Sequence, residues 1–328
     1  MSYYIQRYKD RDEWLKGRAE GLGSSEVGTI LGVNHFDTPL RLWRRKVGLD
    51  KPQGESAAMK RGHRVEIVVA NDFAEATGAI IDPGSVEDWH AVDVDRPYLR
   101  VSPDRLWWPE GTPKAEQTPE NAFILECKTC QASVDAKTVF EVYPYWYCQV
   151  QYQMGVMGIR RCAVAWINVK NPDLPFDYTM VEFNSNYYHR TMLPALEHFW
   201  NDCIVGGLQP DEVIDEEDAK LMFAPVEDSS VTATQEIEEL CYRFQRLKAH
   251  VAEMEKEMKD IELECRKALG NNETLKGPSG LTLATFKTYI SKGSFDKERF
   301  RTENKELYDE YVTEPTETKR FTMKTLRI

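Results

Sequence analysis

The run Phe123-Ile124-Leu125-Glu126-Cys127-Lys128 constrains this chain more than any other feature. It is short and strongly apolar on entry, and it reads as a strand of a sheet. Side chains alternate along a strand, so Glu126 and Lys128 share one face and Cys127 points to the other, into the core. Two further pieces frame this run. Ser102-Pro103-Asp104 ends a segment that begins near Leu99, and its proline stiffens the chain ahead of the acid. Gln149-Val150-Gln151 falls in a helix that follows Pro144.

The surrounding pattern alternates between helical and extended periods. Asp12-Glu13-Trp14-Leu15 opens a short helix, and the turn Gly21 to Glu26 leads into a second with Ser25 as its N-cap. Thr38-Pro39 starts a third helix, with proline at its first position. Residues 56–77 carry a helical stripe of Met59, Val65, Val68, Val69, Phe73 and Ala76, closed by Gly78. Ala79-Ile80-Ile81, Leu99-Arg100-Val101 and Phe123 to Cys127 read as strands of one sheet, with Cys162 to Ile167 and an edge strand Met180 to Phe183 following. Residues 108–121 form a polar, proline-rich loop. Residues 187–204 are helical. The expectation is an α/β core with a mixed central sheet flanked by helices, over residues 1–210.

Beyond it the composition shifts. Residues 211–230 read as an acidic linker, and residues 231–328 as a helical and β-hairpin extension. From Ile237 the apolar spacing is regular: Leu240, Phe244, Leu247, Val251, Met254, Met258, Ile261, Cys265 and Ala268 follow in alternating steps of three and four. This is the pattern of a coiled coil or a long helix hairpin, stopped by Gly270. A hairpin around Leu275 to Leu283, a charged helix from Asp296 to Tyr311 and a strand from Lys319 to Lys324 complete the chain.

Hydrophobic residues make up 41% and charged residues 29%, the balance of an ordinary globular protein. No apolar run approaches the ~20 residues that cross a bilayer, and the N-terminus lacks a signal-peptide core, so a cytoplasmic location without membrane attachment is expected. The count of cysteines is 7, which is odd, and it fits reduced thiols better than a disulfide framework. The net charge of −12 argues against a protein that coats nucleic acid non-specifically, though not against a local basic channel. Basic clusters at Arg41 to Lys46 and Lys60 to Arg64 read, taken alone, as solvated helix faces sooner than as such a channel.

Two carboxylates, Asp104 and Glu126, with the carbonyl of Cys127 between, form an oxygen set suited to a hard cation such as Mg²⁺. Lys128 is placed to orient or deprotonate water and to offset charge on a phosphate. Taken alone, Glu126-Cys127-Lys128 reads sooner as a surface ion pair than as a catalytic set. The ordered set of motifs decides between these. Arg18-Ala-Glu-Gly-Leu-Gly-Ser24-Ser25-Glu26, Thr38-Pro39-Leu40-Arg41-Leu42-Trp43, Arg61-Gly62-His63-Arg64-Val65-Glu66, Ser102-Pro103-Asp104, Glu126-Cys127-Lys128 and Gln149 to Met154 resemble, in order, the lambda exonuclease/YqaJ viral recombinase family of PD-(D/E)XK nucleases. The resemblance covers about residues 10–205.

It implies a PD-(D/E)XK core and a Mg²⁺-dependent 5′→3′ exonuclease of a phage or prophage recombination system, with Mn²⁺ as a substitute ion. Such an enzyme resects duplex DNA ends to 3′ single-stranded tails. Asp104, Glu126, the Cys127 carbonyl and Glu66 match metal ligands, Lys128 the catalytic lysine, and Gln149 a residue placing substrate or water. Arg18 and Ser25 match a 5′-phosphate pocket, and an arginine beside a helix N-terminus suits an anion. The implied partners are DNA ends, a single-strand annealing protein and further copies in a ring, a trimer favoured. A structure-specific endonuclease and a non-catalytic DNA-end binding protein remain as alternatives. Each residue has a plainer reading too: Glu66 as an exposed helix acid, Gln149 and Gln151 as surface amides, Ser25 as only a cap.

Overall fold

The computed structural model describes residues 3–51, 54, 56–83, 89–170, 176–290, 293–314 and 320–324, without the side chains of Ala58 and Met59. The chain divides into two compact units, Met1–Met222 and Phe223–Ile328.

The first unit is built on two sheets. A three-stranded antiparallel sheet has the order β1 (Tyr3–Arg7), β3 (Trp89–Asp93), β4 (Arg100–Val101). A five-stranded mixed sheet has the order β2 (Ile80–Ile81), β5 (Arg105–Trp108), β6 (Phe123–Cys130), β7 (Arg161–Asn168), β8 (Phe176–Glu182). Only β6 and β7 run parallel; the other pairs are antiparallel. The segment Leu99–Val101, expected in the same sheet as β6, instead joins β3. A strand of two residues carries no period of its own, so its pairing is set by tertiary contacts. The expected loop between the acids begins as strand β5, whose Trp107 and Trp108 are buried and donate their indole N–H groups to Ile124 O and Thr118 O.

Helices cover both faces of the larger sheet. α1 (Arg11–Ala19) starts at Asp10, which caps Glu13 N at 2.9 Å. A turn at Ser24–Glu26 leads into α2 (Val27–Ile30), and α3 (Pro39–Lys46) is capped by Thr38. The N-cap of the turn is Gly23, not Ser25; the Glu26 carboxylate takes the Gly23 N–H at 2.8 Å, so Ser25 is free for another partner. α4 (Ala57–Thr77) packs Val69, Ala70 and Phe73 onto Trp107, Leu125, Ala163 and Ala165, and Gly78 ends it in the left-handed region at φ +68. Val68 and Ala76 of the expected stripe face outward, and the Met59 side chain lies outside the described residues.

On the other face, after α5 (Val139–Val142), lies α6 (Pro144–Met157), buried on all sides from Cys148 to Met157. A helix with no solvent face belongs in the centre of a core. α2 crosses it so closely that a Cβ at Gly28 would lie 2.5 Å from Tyr145 Cβ. Helical segments α7 (Ser185–Tyr187), Tyr188–Met192, α8 (Leu193–Glu197) and His198–Val205 follow one another and bring Tyr188, Met192, Leu196 and Phe199 to the same core.

The acidic segment expected as a linker over 211–230 is divided. Its first part holds α9 (Glu216–Met222), tied to the first unit: Thr38 Oγ1 donates to the fully buried Asp218 at 2.7 Å, and Arg41 pairs with Asp215 at 2.8 Å. The second unit contains α10 (Gln235–Leu269), the hairpin β9 (Thr274–Lys276) with β10 (Thr282–Thr285), and α11 (Lys297–Glu303) and α12 (Lys305–Tyr311). The charged helix expected over 296–311 breaks at Asn304. The expected C-terminal strand is absent: residues 320–324 are irregular, and Lys319 lies outside the described residues.

Candidate active site

On β6, Ile124, Glu126, Lys128 and Cys130 face α6, while Leu125 and Cys127 face α4. Cys127 and Cys130 therefore point to opposite faces and cannot share a ligand. Glu126 is almost wholly buried, at 2% exposure, and every contact it has is a donor. Its Oε1 accepts from Lys128 Nζ and from Gln149 Nε2, each at 2.5 Å, and its Oε2 accepts from Gln153 Nε2 at 2.8 Å. Gln149 Oε1 in turn accepts from Lys128 Nζ at 2.9 Å. A buried carboxylate without such donors would be strongly disfavoured. α6 supplies them because Gln149 and Gln153, four residues apart, lie on one helix face.

Asp104 immediately precedes β5, and β5 ends its pairing with β6 at Arg105 opposite Leu125. Beyond that point the edge of β6 is open, and Asp104 Oδ2 takes the Cys127 N–H at 2.7 Å. The N–H and C=O of one strand residue point to the same side, so the Cys127 carbonyl also lies toward Asp104. Burial pushes the Asp104 carboxyl well above the ordinary carboxylate range, with the negative charges of Glu126 and then Glu66 adding to it; Lys128 and the Cys127 amide act in the opposite sense. Burial works against the Lys128 ammonium, but Glu126 and Asp104 outweigh it and hold its pKa above the usual lysine value. Lys128 is thus kept as a cation beside the acids.

Glu66 stands apart from this set. Its carboxylate pairs with Arg105 at 2.6 Å, and the same guanidinium donates to the Asp104 carbonyl oxygen at 2.5 Å. Among the described residues no three His, Cys, Asp or Glu side chains are arranged to hold a metal ion. The donors near Asp104 are two carboxylates and a main-chain carbonyl, all hard oxygens. Mg²⁺ commonly takes one or two carboxylates and keeps several waters, so this set fits it. Burial is the main reason the Asp104 carboxyl is pushed up, and the negative charges of Glu126 and Glu66 that add to it are what a divalent cation would relieve.

Arg18 and Ser25 come together: Arg18 Nη2 donates to Ser25 Oγ at 2.6 Å. The Ser24–Glu26 turn packs on α6, the helix that carries Gln149. The basic residues of α3 are spent on neighbours, Arg41 on Asp215, Arg44 on Asp50, Arg45 on Asp37 and Lys46 on Glu26. Lys60, Arg61 and Arg64 of α4 are exposed on the helix that carries Glu66. Gln151 is structural: its amide donates to Glu182 O and accepts from Asn184 N, each at 2.8 Å. Two contributors were not anticipated, Gln153 and Arg105. The Gln149-x-x-x-Gln153 spacing was the available signal for the first, while Arg105 carried none.

Residues 13–160 match the model of the YqaJ-like viral recombinase domain, the family that the ordered motifs resemble. Over 320 residues the chain is 27% identical to the uncharacterised protein YqaJ of Bacillus subtilis (strain 168), covering 96% of this chain and 94% of that one. An alkaline exonuclease from Laribacter hongkongensis superposes with a TM-score of 0.47 at 18% identity, over 60% of this chain and 93% of that one. A phage-related exonuclease from Haemophilus somnus 129PT gives a TM-score of 0.39 at 7% identity, over 57% and 96%.

Proposed function

We propose that this chain, which carries a YqaJ-like viral recombinase domain over residues 13–160, is a divalent-metal-dependent deoxyribonuclease that digests duplex DNA from its ends. The observation that carries the reading is the convergence of Asp104, Glu126, Lys128 and Gln149 around the open edge of β6. Asp104, Glu126 and the Cys127 carbonyl would hold Mg²⁺, or Mn²⁺ in its place. When bound, the ion supplies a Lewis acid that lowers the pKa of water and offsets phosphate charge.

The chain's own residues do the rest. Lys128, held as a cation, lies where negative charge grows on the scissile phosphate. Gln149 bridges Lys128 and Glu126 and fixes both, and Gln153 fixes the second oxygen of Glu126. Glu66, through Arg105, holds the segment that presents Asp104. The Arg18–Ser25 pair is a donor set for a terminal 5′-phosphate, which favours digestion in the 5′→3′ direction and a 3′ single-stranded product. The exposed ring of Phe36 meets Tyr145 edge-on at 6.2 Å and offers an unpaired base a stacking surface. On this reading the enzyme serves a phage-type recombination system: copies assembled in a ring travel along DNA, and an annealing protein takes up the tail.

The test is the full-length protein with linear and closed-circular duplex DNA, in Mg²⁺ and in chelator. Mononucleotides released from the 5′-phosphorylated strand of linear DNA, with circles left intact, are expected in Mg²⁺ alone. Cut circles would instead assign an endonuclease. Bound but uncut ends would assign a binding protein.

A further inference from the structure

α10 leaves the apolar seam of a heptad repeat in solvent. From Ile237 to Ile261 the seam residues are 43% to 62% exposed, along a helix of 35 residues, about 50 Å at ~1.5 Å per residue. Among the described residues, two contacts from the rest of the second unit to α10 fall outside that seam. Gln245 donates to Lys324 O at 2.7 Å, and Arg266 lies over the Phe286 ring at 3.4 Å; both are b positions when Ile237 is an a position. A strict seven-residue repeat is a code for a second helix, and an exposed stripe of this length is far larger than scattered surface apolar residues.

The flanking charges select that helix. Between Ile237 and Ala268 the e and g positions of the N-terminal half are Cys241, Arg243, Lys248 and His250, and those of the C-terminal half are Glu255, Glu257, Glu262 and Glu264; Glu236 and Leu269 lie outside the paired stretch. In a parallel, in-register pair, Arg243 would meet Lys248 of the second copy, and Glu257 would meet its Glu262. Both contacts repel. Turned antiparallel about a point between Ala252 and Glu253, the seam stacks a against d throughout: Phe244 on Ile261, Leu247 on Met258, Val251 on Met254. In that arrangement g faces g and e faces e. Arg243 meets Glu264, Lys248 meets Glu255 and His250 meets Glu257, each pair occurring twice by symmetry. Glu264 now carries only an exposed pair with Lys267, at 2.6 Å.

We propose that α10 docks against α10 of a second copy of this chain as an antiparallel two-stranded coiled coil. The seam residues are its core and the basic-to-acidic gradient along the helix fixes its direction. The contact is two-fold, so it joins copies in pairs whatever contacts the first unit makes, and it does not depend on the nuclease reading.

Sedimentation equilibrium of the full-length chain tests this. The wild-type mass is expected at an even multiple of the chain. The exposed double variant Arg243→Glu with Lys248→Glu sets four like-charge contacts in the pair, which raises its dissociation constant on the order of 10-fold or more and halves the mass at low concentration. Adding Glu255→Lys and Glu264→Lys to that variant restores every opposite pair, and with it the wild-type mass. A wild-type mass that is monomeric, including one in which the seam holds a different protein, overturns the proposal. So does a mass indifferent to the double variant. Failure of the four-site exchange to restore association overturns the antiparallel direction, because a parallel pair would still set glutamate against glutamate.

Discussion

In the first unit, polar side chains are drawn inside and held by named partners, whereas in the second, apolar side chains are left outside along an entire helix. Glu126, Gln149, Gln151, Gln153, His90 and Asp218 are all buried, and each has at least one hydrogen-bond partner that positions it, although Gln153 Oε1 has none. The α10 seam is the reverse: regular, apolar and open to water. A buried polar group is tolerated only where its geometry is fully determined, so the first unit's interior is specific and expensive to alter. An exposed apolar seam is tolerated only where something else covers it, so the second unit's surface is unfinished by itself. On the readings proposed above, the two kinds of exception mark two kinds of work, chemistry inside one unit and assembly along the other.

Substitutions can break or sharpen this contrast. The largest effect is expected at Lys128→Met, which keeps the volume and removes the cation between two acids. The rate of DNA hydrolysis should fall on the order of 100- to 1,000-fold, beyond what a lowered melting temperature explains when folded protein is compared at the same concentration, because Glu126 also loses a buried donor. A variant with full activity would remove Lys128 from the chemistry. Next comes Gln153→Leu, which takes the donor from Glu126 Oε2 while leaving Lys128 and Gln149 in place. About a 10-fold loss of rate is expected, together with a higher Mg²⁺ concentration for half-maximal activity. An unchanged Mg²⁺ titration would make Gln153 a packing residue only.

His90 carries a third test. It is 2% exposed, and burial, with Arg100 and Arg18 nearby, lowers its pKa to about 4. The folded imidazole is therefore neutral, while the unfolded one gains a proton below about pH 6.5. Stability is expected to fall as the pH drops through that value and to stop falling, as far as His90 is concerned, near pH 4. Between pH 7 and pH 5 its share is about 1–2 kcal/mol. His90→Asn should flatten the curve over that interval in urea titrations, and an equally steep curve would contradict the assignment. The smallest effect is expected at Leu247→Glu in α10. Such a change in a core costs several kcal/mol, but here the first unit's unfolding should move by less than about 0.5 kcal/mol while self-association weakens.

How much of this was legible in the sequence follows from where each signal resides. α4, α6, α10, β6 and β7 carry long periods or long apolar runs, and their residues alone nearly place them. β1 and β3 were missed: Tyr3 to Arg7 alternates weakly at a sheet margin, and Trp89 to Asp93 has no polar-apolar alternation, being buried throughout. β5 hid in front of Pro109 in a stretch rich in turn residues. The acids and the lysine were readable because Glu126-Cys127-Lys128 is local. Their ties were not, because Gln153 to Glu126 spans 27 positions and Arg105 to Glu66 spans 39. Ser25 suited an N-cap by type, but Gly23 took that place and left its hydroxyl to Arg18.

The clasp between Thr38 and Asp218 has a consequence for how the chain is made. Its two ends are 180 positions apart, and Arg41 reaches Asp215 across 174. During synthesis, α3 emerges from the ribosome early and waits for α9, with the Thr38 hydroxyl lacking its acid and Arg41 holding only Asp37. The first unit is therefore closed by nearly the last residues it contains, and a nascent chain halted before Asp218 would hold it incomplete.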